Sequence, residues 1–172
     1  QSVGKVVSKA DYNPQHIAWV DDIANKTKTF NPSSTNSKKN VSGTLREVQV
    51  ADKDGIIDSL DLAGYKLTKE KHGVSVDYDL VSGNILREVK SPNSFIDEGG
   101  SQLSKNGVLK VIEGQVIRFN QGKPFLPPGK SFNQIQYKIA KKGGEVIPNE
   151  VTDALQDAVN KGIINGWGVV NI

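Results

Sequence analysis

The sequence contains no cysteine, so it can form neither a disulfide framework nor a thiolate metal site. It has only two histidines, His16 and His72, which fall in different predicted elements and therefore do not indicate the paired general acid and base of a metal-free ribonuclease. A bound metal would be held mainly by carboxylates, carbonyl groups and water, which favours hard divalent cations. No apolar run approaches the roughly 18 residues of a membrane span, and we expect a soluble protein without one.

Methionine is also absent, and the chain opens at Gln1 without a charged segment followed by an apolar one. This pattern predicts a C-terminal piece of a longer, exported protein. No glycine-rich stretch ends in Gly-Lys-Ser/Thr, so nucleotide-driven chemistry is not indicated. The net charge of +3 and the pI near 9.0 are compatible with a polyanionic partner, although the same excess of lysine is common on soluble surfaces.

Residues 1–40 differ from the rest of the chain. Asn13 and Pro14 can begin a helix, because apolar residues follow them at helical spacing. The last ten residues of this range are polar and nearly free of apolar side chains. We therefore predict an N-terminal helix and polar linker over 1–40, and a main domain over 41–172.

Four elements are predicted in the first half of the main domain. From Thr44, apolar residues recur at helical spacing with an interruption at Gly55, which predicts a helix that ends before Gly64. Three segments of alternating apolar and polar residues follow and predict a meander of antiparallel strands. These segments are Tyr65 to Lys71, Val74 to Leu80 and Ile85 to Val89.

The second half of the main domain adds two helices and two strands. Residues 108–119 keep helical spacing, although a hairpin turning at Glu113-Gly114 is the alternative; we favour the helix. The order of elements predicts an α/β fold with a central mixed sheet. The remaining elements are a strand from Ile135 to Ile139, a helix from Glu150 to Lys161 and a strand from Gly168 to Ile172.

Charged residues on the second and third predicted strands share one face, because side chains alternate with period two. A turn at Gly83-Asn84 places Asp79 across from Glu88, and Asp77 across from Lys90. A turn at Ser82-Gly83 places Asp77 across from Glu88 instead. Either register gathers two carboxylates and one lysine, and the repulsion between the carboxylates would be relieved by a divalent cation.

Such a cluster suits phosphodiester hydrolysis. A metal polarises a phosphoryl oxygen and lowers the pKa of a bound water, while a lysine orients the water and offsets developing charge. The alternative is a solvated hairpin face whose cross-strand ion pairs each contribute little to stability. Spacing alone does not decide between these two interpretations.

The run from Asp77 to Ser91 resembles motifs II and III of the PD-(D/E)XK nuclease superfamily, where an Asp near the end of the second strand precedes Glu-x-Lys on the third. The order helix, three strands, helix and strand from Thr44 to Ala140 is similar to that superfamily's αβββαβ restriction-endonuclease-like core. The chain lacks a Pro before the Asp, as do many members.

The resemblance implies that Asp79 or Asp77 and Glu88 bind Mg²⁺ or another hard divalent cation, and that Lys90 is the catalytic lysine. It also implies an acidic residue from the first core helix, for which Glu47 is the candidate; the alternative for Glu47 is an exposed helix glutamate. A polar residue from the helix after the third strand often contacts such a site, and the candidates here are Gln115 and Gln102.

The same superfamily supplies toxin domains of contact-dependent growth inhibition and other polymorphic toxin systems, which form the C-terminus of long exported proteins. The resemblance implies an endonuclease toxin that cuts tRNA, slightly favoured, or DNA in the cytoplasm of a target bacterium, and a cognate immunity protein that blocks it. The alternatives are a non-catalytic interaction module whose acidic hairpin docks a partner, and a metal-free ribonuclease toxin.

Basic residues in the second half of the domain have two interpretations. They can line a groove for phosphates near the acidic cluster, or they can be the ordinary solvated lysines of a helical surface. We weight these equally. The residues are Lys105, Lys110, Arg118, Lys123, Lys141 and Lys142.

Overall fold

The computed structural model of the protein describes residues 45–56 and 65–172. The helix and linker predicted over 1–40 lie outside these ranges. Within them, no helix has both the length and the apolar character needed to cross a membrane. The helices and strands are α1 (45–53), β1 (Tyr65–Leu67), α2 (Lys69–His72), β2 (Val76–Tyr78), β3 (Leu80–Ser82), β4 (Asn84–Lys90), α3 (Lys105–Gly122), β5 (Phe132–Lys141), α4 (Asn149–Asn160) and β6 (Gly166–Asn171), with a 3-10 turn at Lys123–Phe125.

The central sheet has four strands in the order β3-β4-β5-β6. The β3–β4 pair is antiparallel, whereas β4–β5 and β5–β6 are parallel. Parallel neighbours need a crossover connection, and α3 and α4 supply the two crossovers. The predicted α/β class with a central mixed sheet is confirmed.

The β3–β4 hairpin turns at Gly83 and Asn84, which both have a positive φ, of 56° and 69°. Two consecutive positive φ values are typical of the type I′ turn, whose twist matches that of the flanking strands. Leu80 pairs with Arg87, so the first of the two predicted registers is the one adopted. In this register Asp79, the residue before Leu80, lies opposite Glu88.

The predicted meander of three strands is wrong. The first segment is a strand only at Tyr65–Leu67; Thr68 then caps the short helix α2 with its side chain, and the left-handed Gly73 ends it. The second segment breaks at Asp79: β2 pairs with β1 in a separate two-stranded sheet, and β3 joins the central sheet. β2 alternates as predicted, whereas Leu80 and Val81 of β3 are both buried, and alternation does not specify which strands pair.

The helix predicted from Thr44 is interrupted at Gly55, as expected. Helical backbone covers 45–53, and Gly55 takes a left-handed conformation with φ of 69° while the Ile56 N–H bonds back to the Ala51 carbonyl at 2.9 Å. This is how a glycine ends a helix. The continuation predicted over 57–64 lies outside the described residues.

Two clusters of buried side chains lie on the two sides of the central sheet. The larger joins Leu86, Ile135 and Tyr137 to apolar residues of α3 and α4. The smaller joins Leu80 and Ala140 to apolar residues of α1.

The elements predicted in the second half of the domain all form. Residues 108–119 are helical, as favoured over the hairpin. The last three predicted elements, a strand, a helix and a second strand, form with ends shifted by a few residues.

The end of α3 packs closely against the small sheet. The Tyr78 hydroxyl donates a hydrogen bond to the Phe119 carbonyl at 2.7 Å. A Cβ added at Gly122 would overlap the Tyr78 hydroxyl and lie 2.6 Å from Leu67 Cδ1, so only glycine allows this approach. This contact sets the position of α3 relative to β1 and β2, and hence the width of the cleft between them.

Candidate active site

A polar cleft of about 640 Å³ opens between the small sheet, β4 and α3. A cleft of this volume lies within the range of ligand-binding pockets, roughly 300–1,000 Å³. Its lining contains all five residues predicted for the metal site and its catalytic lysine, namely Glu47, Asp77, Asp79, Glu88 and Lys90. The lining residues are Glu47, Lys66, Leu67, Thr68, Ser75, Val76, Asp77, Asp79, Glu88, Val89, Lys90, Gln115, Arg118 and Phe119.

Asp79 lies between β2 and β3, where the chain passes from the small sheet to the central one. Its Oδ2 accepts a hydrogen bond from the backbone N–H of Val89 at 2.8 Å. A side chain thus takes the place of a strand partner for this N–H group. The bond holds the carboxylate of Asp79 against β4, next to Glu88.

Glu88 and Lys90 point to the same face of β4, because they are two residues apart on one strand. The Lys90 Nζ lies 3.2 Å from the Glu88 Oε2. Glu88 is only 6% exposed, and its other oxygen, Oε1, is buried without a hydrogen-bond partner among the described residues. A buried carboxylate oxygen in this state has a lone pair available to a cation.

Burial raises the pKa of the Asp79 carboxyl well above its ordinary value. The negative charges of Glu88 and Glu47 raise it further, and so does a hydrogen bond with Glu88, whereas the bond from the Val89 N–H lowers it. The Asp79 carboxyl is therefore sensitive to two other acidic side chains of the cleft. Ionising Asp79 beside them is a cost that a bound cation would remove.

Glu47 is brought to the cleft by α1 and is 9% exposed, so the alternative of an exposed helix glutamate is wrong. Next to it, Arg46 binds Glu145 through two parallel hydrogen bonds of 3.0 and 2.9 Å and donates a third to the Ala140 carbonyl. This contact lowers the pKa of Glu145 and fastens α1 to the end of β5. Glu47 thereby has a fixed position.

Asp77 occupies a different place from the one that the hairpin register predicts. It was expected opposite Lys90, but β2 leaves the hairpin at Asp79 and Asp77 pairs instead with Lys66 of β1. The Asp77 carboxylate lies 4.0 Å from the Lys66 Nζ, and its side chain is 53% exposed. Asp77 therefore lines the rim of the cleft, while Asp79 and Glu88 lie within it.

Tyr137 is a neighbour of the site that sequence analysis missed. It is level with Glu88 on the adjacent strand β5, and its hydroxyl donates to the Gln115 Oε1 at 2.5 Å. Burial is the main cause that raises the pKa of Tyr137, and the charges of Glu88 and Asp79 raise it further. The parallel register that aligns β4 with β5 leaves no signal in the sequence.

Of the two glutamine candidates, Gln115 lines the cleft, whereas Gln102 bonds to the Phe95 and Leu103 carbonyls of its own loop.

Of the six basic residues proposed for a phosphate groove, only Arg118 lines the cleft. Lys105 pairs with Asp157 at 3.8 Å, and Lys123 lies 4.9 Å above the ring of Phe132. The His72 ring accepts a hydrogen bond from the Thr68 N–H and packs against the ring of Phe125, and it does not line the cleft. Within the set, the groove interpretation therefore stays a prediction for Arg118 alone.

The donor set suits a hard divalent cation in one specific way. In the part of the chain that the structure describes, no three histidine or acidic side chains are grouped as a complete metal shell. Mg²⁺ needs fewer, because it is commonly held by one or two carboxylates and keeps waters or substrate oxygens as its other ligands. Asp79 and the unpaired Oε1 of Glu88 are the two carboxylate donors that would serve.

Comparisons with protein-family models, with curated proteins and with solved structures gave no match.

Proposed function

We propose that this protein is a metal-dependent endonuclease that hydrolyses phosphodiester bonds at the cleft. The observation that carries the proposal is the convergence of Asp79, Glu88 and Lys90: a buried glutamate beside a half-buried aspartate, with an ammonium group 3.2 Å from the glutamate. A solvated hairpin face would not bury Glu88 or leave one of its oxygens without a hydrogen bond.

In the proposed mechanism Asp79 and Glu88 hold the cation, with Glu47 adding negative charge behind them. Once bound, Mg²⁺ supplies a polarised phosphoryl oxygen and a water of lowered pKa. The Lys90 ammonium orients the attacking water and offsets the charge that grows on the phosphoryl oxygens. The water oxygen bonds to phosphorus and releases a proton to solvent, the bond to the leaving sugar oxygen breaks, and that oxygen takes up a proton from solvent.

Asp77 has a supporting place in this proposal. Its carboxylate is at the rim and faces Lys66, so we assign the metal-binding role to Asp79 and Glu88. Asp77 then tunes the charge at the entrance of the cleft.

The biological setting rests on the resemblance to PD-(D/E)XK toxins. We propose that the protein acts as a toxin in the cytoplasm of a target bacterium after export as part of a larger polypeptide, and that a cognate immunity protein blocks it. The proposed substrate is nucleic acid, with tRNA slightly favoured over DNA.

The test is incubation of the purified protein with total tRNA and with plasmid DNA, each with Mg²⁺ and with excess chelator. Glu88→Ala and Lys90→Ala are compared with Glu98→Ala and Lys110→Ala, which change exposed residues of the same charge outside the cleft. Circular dichroism and thermal melts check that each variant folds.

Cutting that needs the metal and is lost only in the two cleft variants would support the proposal and identify the substrate. Cutting that survives the chelator and both substitutions would favour a metal-free ribonuclease. If neither substrate is cut under any condition, the acidic hairpin is better explained as a docking surface of a non-catalytic interaction module.

A further inference from the structure

Arg118 lines the cleft and has no acidic partner among the described residues. Burial and the charges of Glu88 and Asp79 raise the pKa of the nearby Tyr137 hydroxyl, and the positive charge of Arg118 partly offsets them. An arginine presents a planar fork of donors that suits a phosphate group. Arg118 sits on α3, one helical turn from Gln115, which bonds to Tyr137 beside Glu88.

Lys66 is a second cation, on β1 at the opposite wall of the cleft. Its side chain is 71% exposed, and its ion pair with Asp77 is long, at 4.0 Å. An exposed pair of this kind contributes little to stability, so a polyanion can take over Lys66 at small cost. The hydroxyl groups of Thr68 and Ser75 lie along the same wall.

We propose that Arg118 and Lys66 bind backbone phosphates on either side of the carboxylates, so that a nucleic-acid strand lies across the cleft. This inference rests on the proposed nuclease function, since it names how the substrate of that site is held. The two cations contact phosphate and not bases, so binding through them depends neither on base sequence nor on the metal. Arg118 and Lys66 bind the strand, whereas Asp79, Glu88 and Lys90 act on it chemically.

The experiment measures binding alone. The full chain, in excess chelator, is titrated against fluorescein-labelled tRNA, and anisotropy is followed over a series of salt concentrations. Arg118→Ala and Lys66→Ala are compared with Lys110→Ala, an exposed lysine of the same helix as Arg118, and with Lys71→Ala, an exposed lysine of α2. Arg118→Lys retains the charge and loses the fork.

Each cleft variant is expected to weaken binding about fivefold to eightfold at about 0.1 M salt, and to lower the slope of log affinity against log salt by about 0.7–0.9, the value for one phosphate contact. Arg118→Lys keeps the slope. The control variants stay close to the unsubstituted protein in both quantities. A labelled DNA duplex run in parallel shows the same two losses if the contacts are to phosphate.

The inference is overturned if Arg118→Ala and Lys66→Ala match their controls in affinity and slope, or if the unsubstituted protein does not bind. Its failure is distinguishable from failure of the nuclease proposal. Metal-dependent cutting with unchanged binding in Arg118→Ala overturns the inference alone. Binding that depends on both cations in a protein that never cuts overturns the nuclease proposal and supports the inference.

Discussion

The Asp79 carboxylate accepts a hydrogen bond of 2.8 Å from the backbone N–H of Val89, the residue between Glu88 and Lys90. The bond spans the break between the two sheets and sets one acidic side chain beside another. The candidate site therefore depends on a strand interruption.

Glu88→Gln removes one charge from the carboxylate pair while keeping the shape of the side chain. We expect metal-dependent cutting to fall by more than about a hundredfold, since even the partners of metal ligands are worth about 10–100-fold. The pKa of Asp79 should fall in part as well, because burial still raises it but the charge of Glu88 no longer does. Cutting rates at saturating Mg²⁺ and NMR titration of the Asp79 carboxyl measure the two effects. Glu98→Gln is the control, and cutting at its rate by Glu88→Gln would contradict the assignment.

Asp79→Asn is expected to change how stability depends on pH. The pKa of Asp79 is raised in the folded protein, so between its ordinary value near 3.8 and the raised value the folded state binds more protons than the unfolded state. The free energy of unfolding then decreases as pH rises through this window, by about 1.4 kcal/mol for each pH unit. In chelator, the free energy of unfolding of Asp79→Asn should not decrease in this way as the pH rises to neutral.

Urea denaturation at several pH values from 4 upward, with and without Mg²⁺, measures this effect. Added Mg²⁺ should restore stability to the unsubstituted protein at high pH, because the cation binds the ionised carboxylates. Asp79→Asn also changes the acceptor of the hydrogen bond from the Val89 N–H, which alters the free energy of unfolding for a separate reason. The slope of that free energy with pH is therefore the informative quantity. Parallel curves for the two proteins would show that Asp79 does not titrate as described.

Gly122→Ala should destabilise the protein by about 1–3 kcal/mol, the usual cost of forcing extra volume into a packed region. The added Cβ would overlap the Tyr78 hydroxyl and crowd Leu67. Gly114→Ala, within the same helix, is the matched control, because its Cβ meets only the Arg118 guanidinium at 3.7 Å. There the higher helix propensity of alanine should stabilise by up to about 1 kcal/mol. Urea midpoints that move equally in both variants would contradict the close approach of α3 to the small sheet.

Arg46→Ala should lower the free energy of unfolding by about 1–3 kcal/mol. This is below the range for a fully buried ion pair, because the Glu145 side chain is 23% exposed. The substitution leaves Glu145 without its arginine partner, although the Lys142 N–H still donates to it, and removes the donor from the Ala140 carbonyl. Because α1 carries Glu47, cutting should also weaken. Arg46→Lys should recover part of the loss, since a lysine keeps the charge without the two parallel hydrogen bonds.

Urea denaturation and cutting rates measure this pair of effects. Lys53→Ala, an exposed cation on the same helix, is the control. Equal stability of Arg46→Ala and Lys53→Ala would show that the contact with Glu145 does not fasten α1.

Local features of the fold were predictable where one short segment carries the whole signal. The Gly83-Asn84 turn is an example, because two residues that accept a positive φ specify the hairpin and its register. Residues 108–119 are another, since their apolar side chains repeat with the period of a helix that buries one face. The position of Asp79 opposite Glu88 follows directly from that turn.

Predictions failed where the outcome depends on competition between distant segments. The alternation from Val74 to Leu80 is equally compatible with one strand and with two strands that meet at Asp79. Packing of β2 against α3, through Tyr78 and Gly122, draws it into a separate sheet. Because β2 lies in the separate sheet, Asp77 is at the rim of the cleft. The residues next to Asp77 in the sequence do not indicate this position.

The amino-acid sequence by itself determined the α/β class, the hairpin, and the identity of the residues that can carry chemistry, because these depend on periodicity, turn geometry and side-chain type. Only the tertiary structure decided which of those residues meet. Parallel pairing places Tyr137 beside Glu88, the docking of α1 brings Glu47 to the cleft, and the position of α3 adds Arg118. These contacts join segments far apart in the chain, and their free energies come from packing that no local pattern encodes.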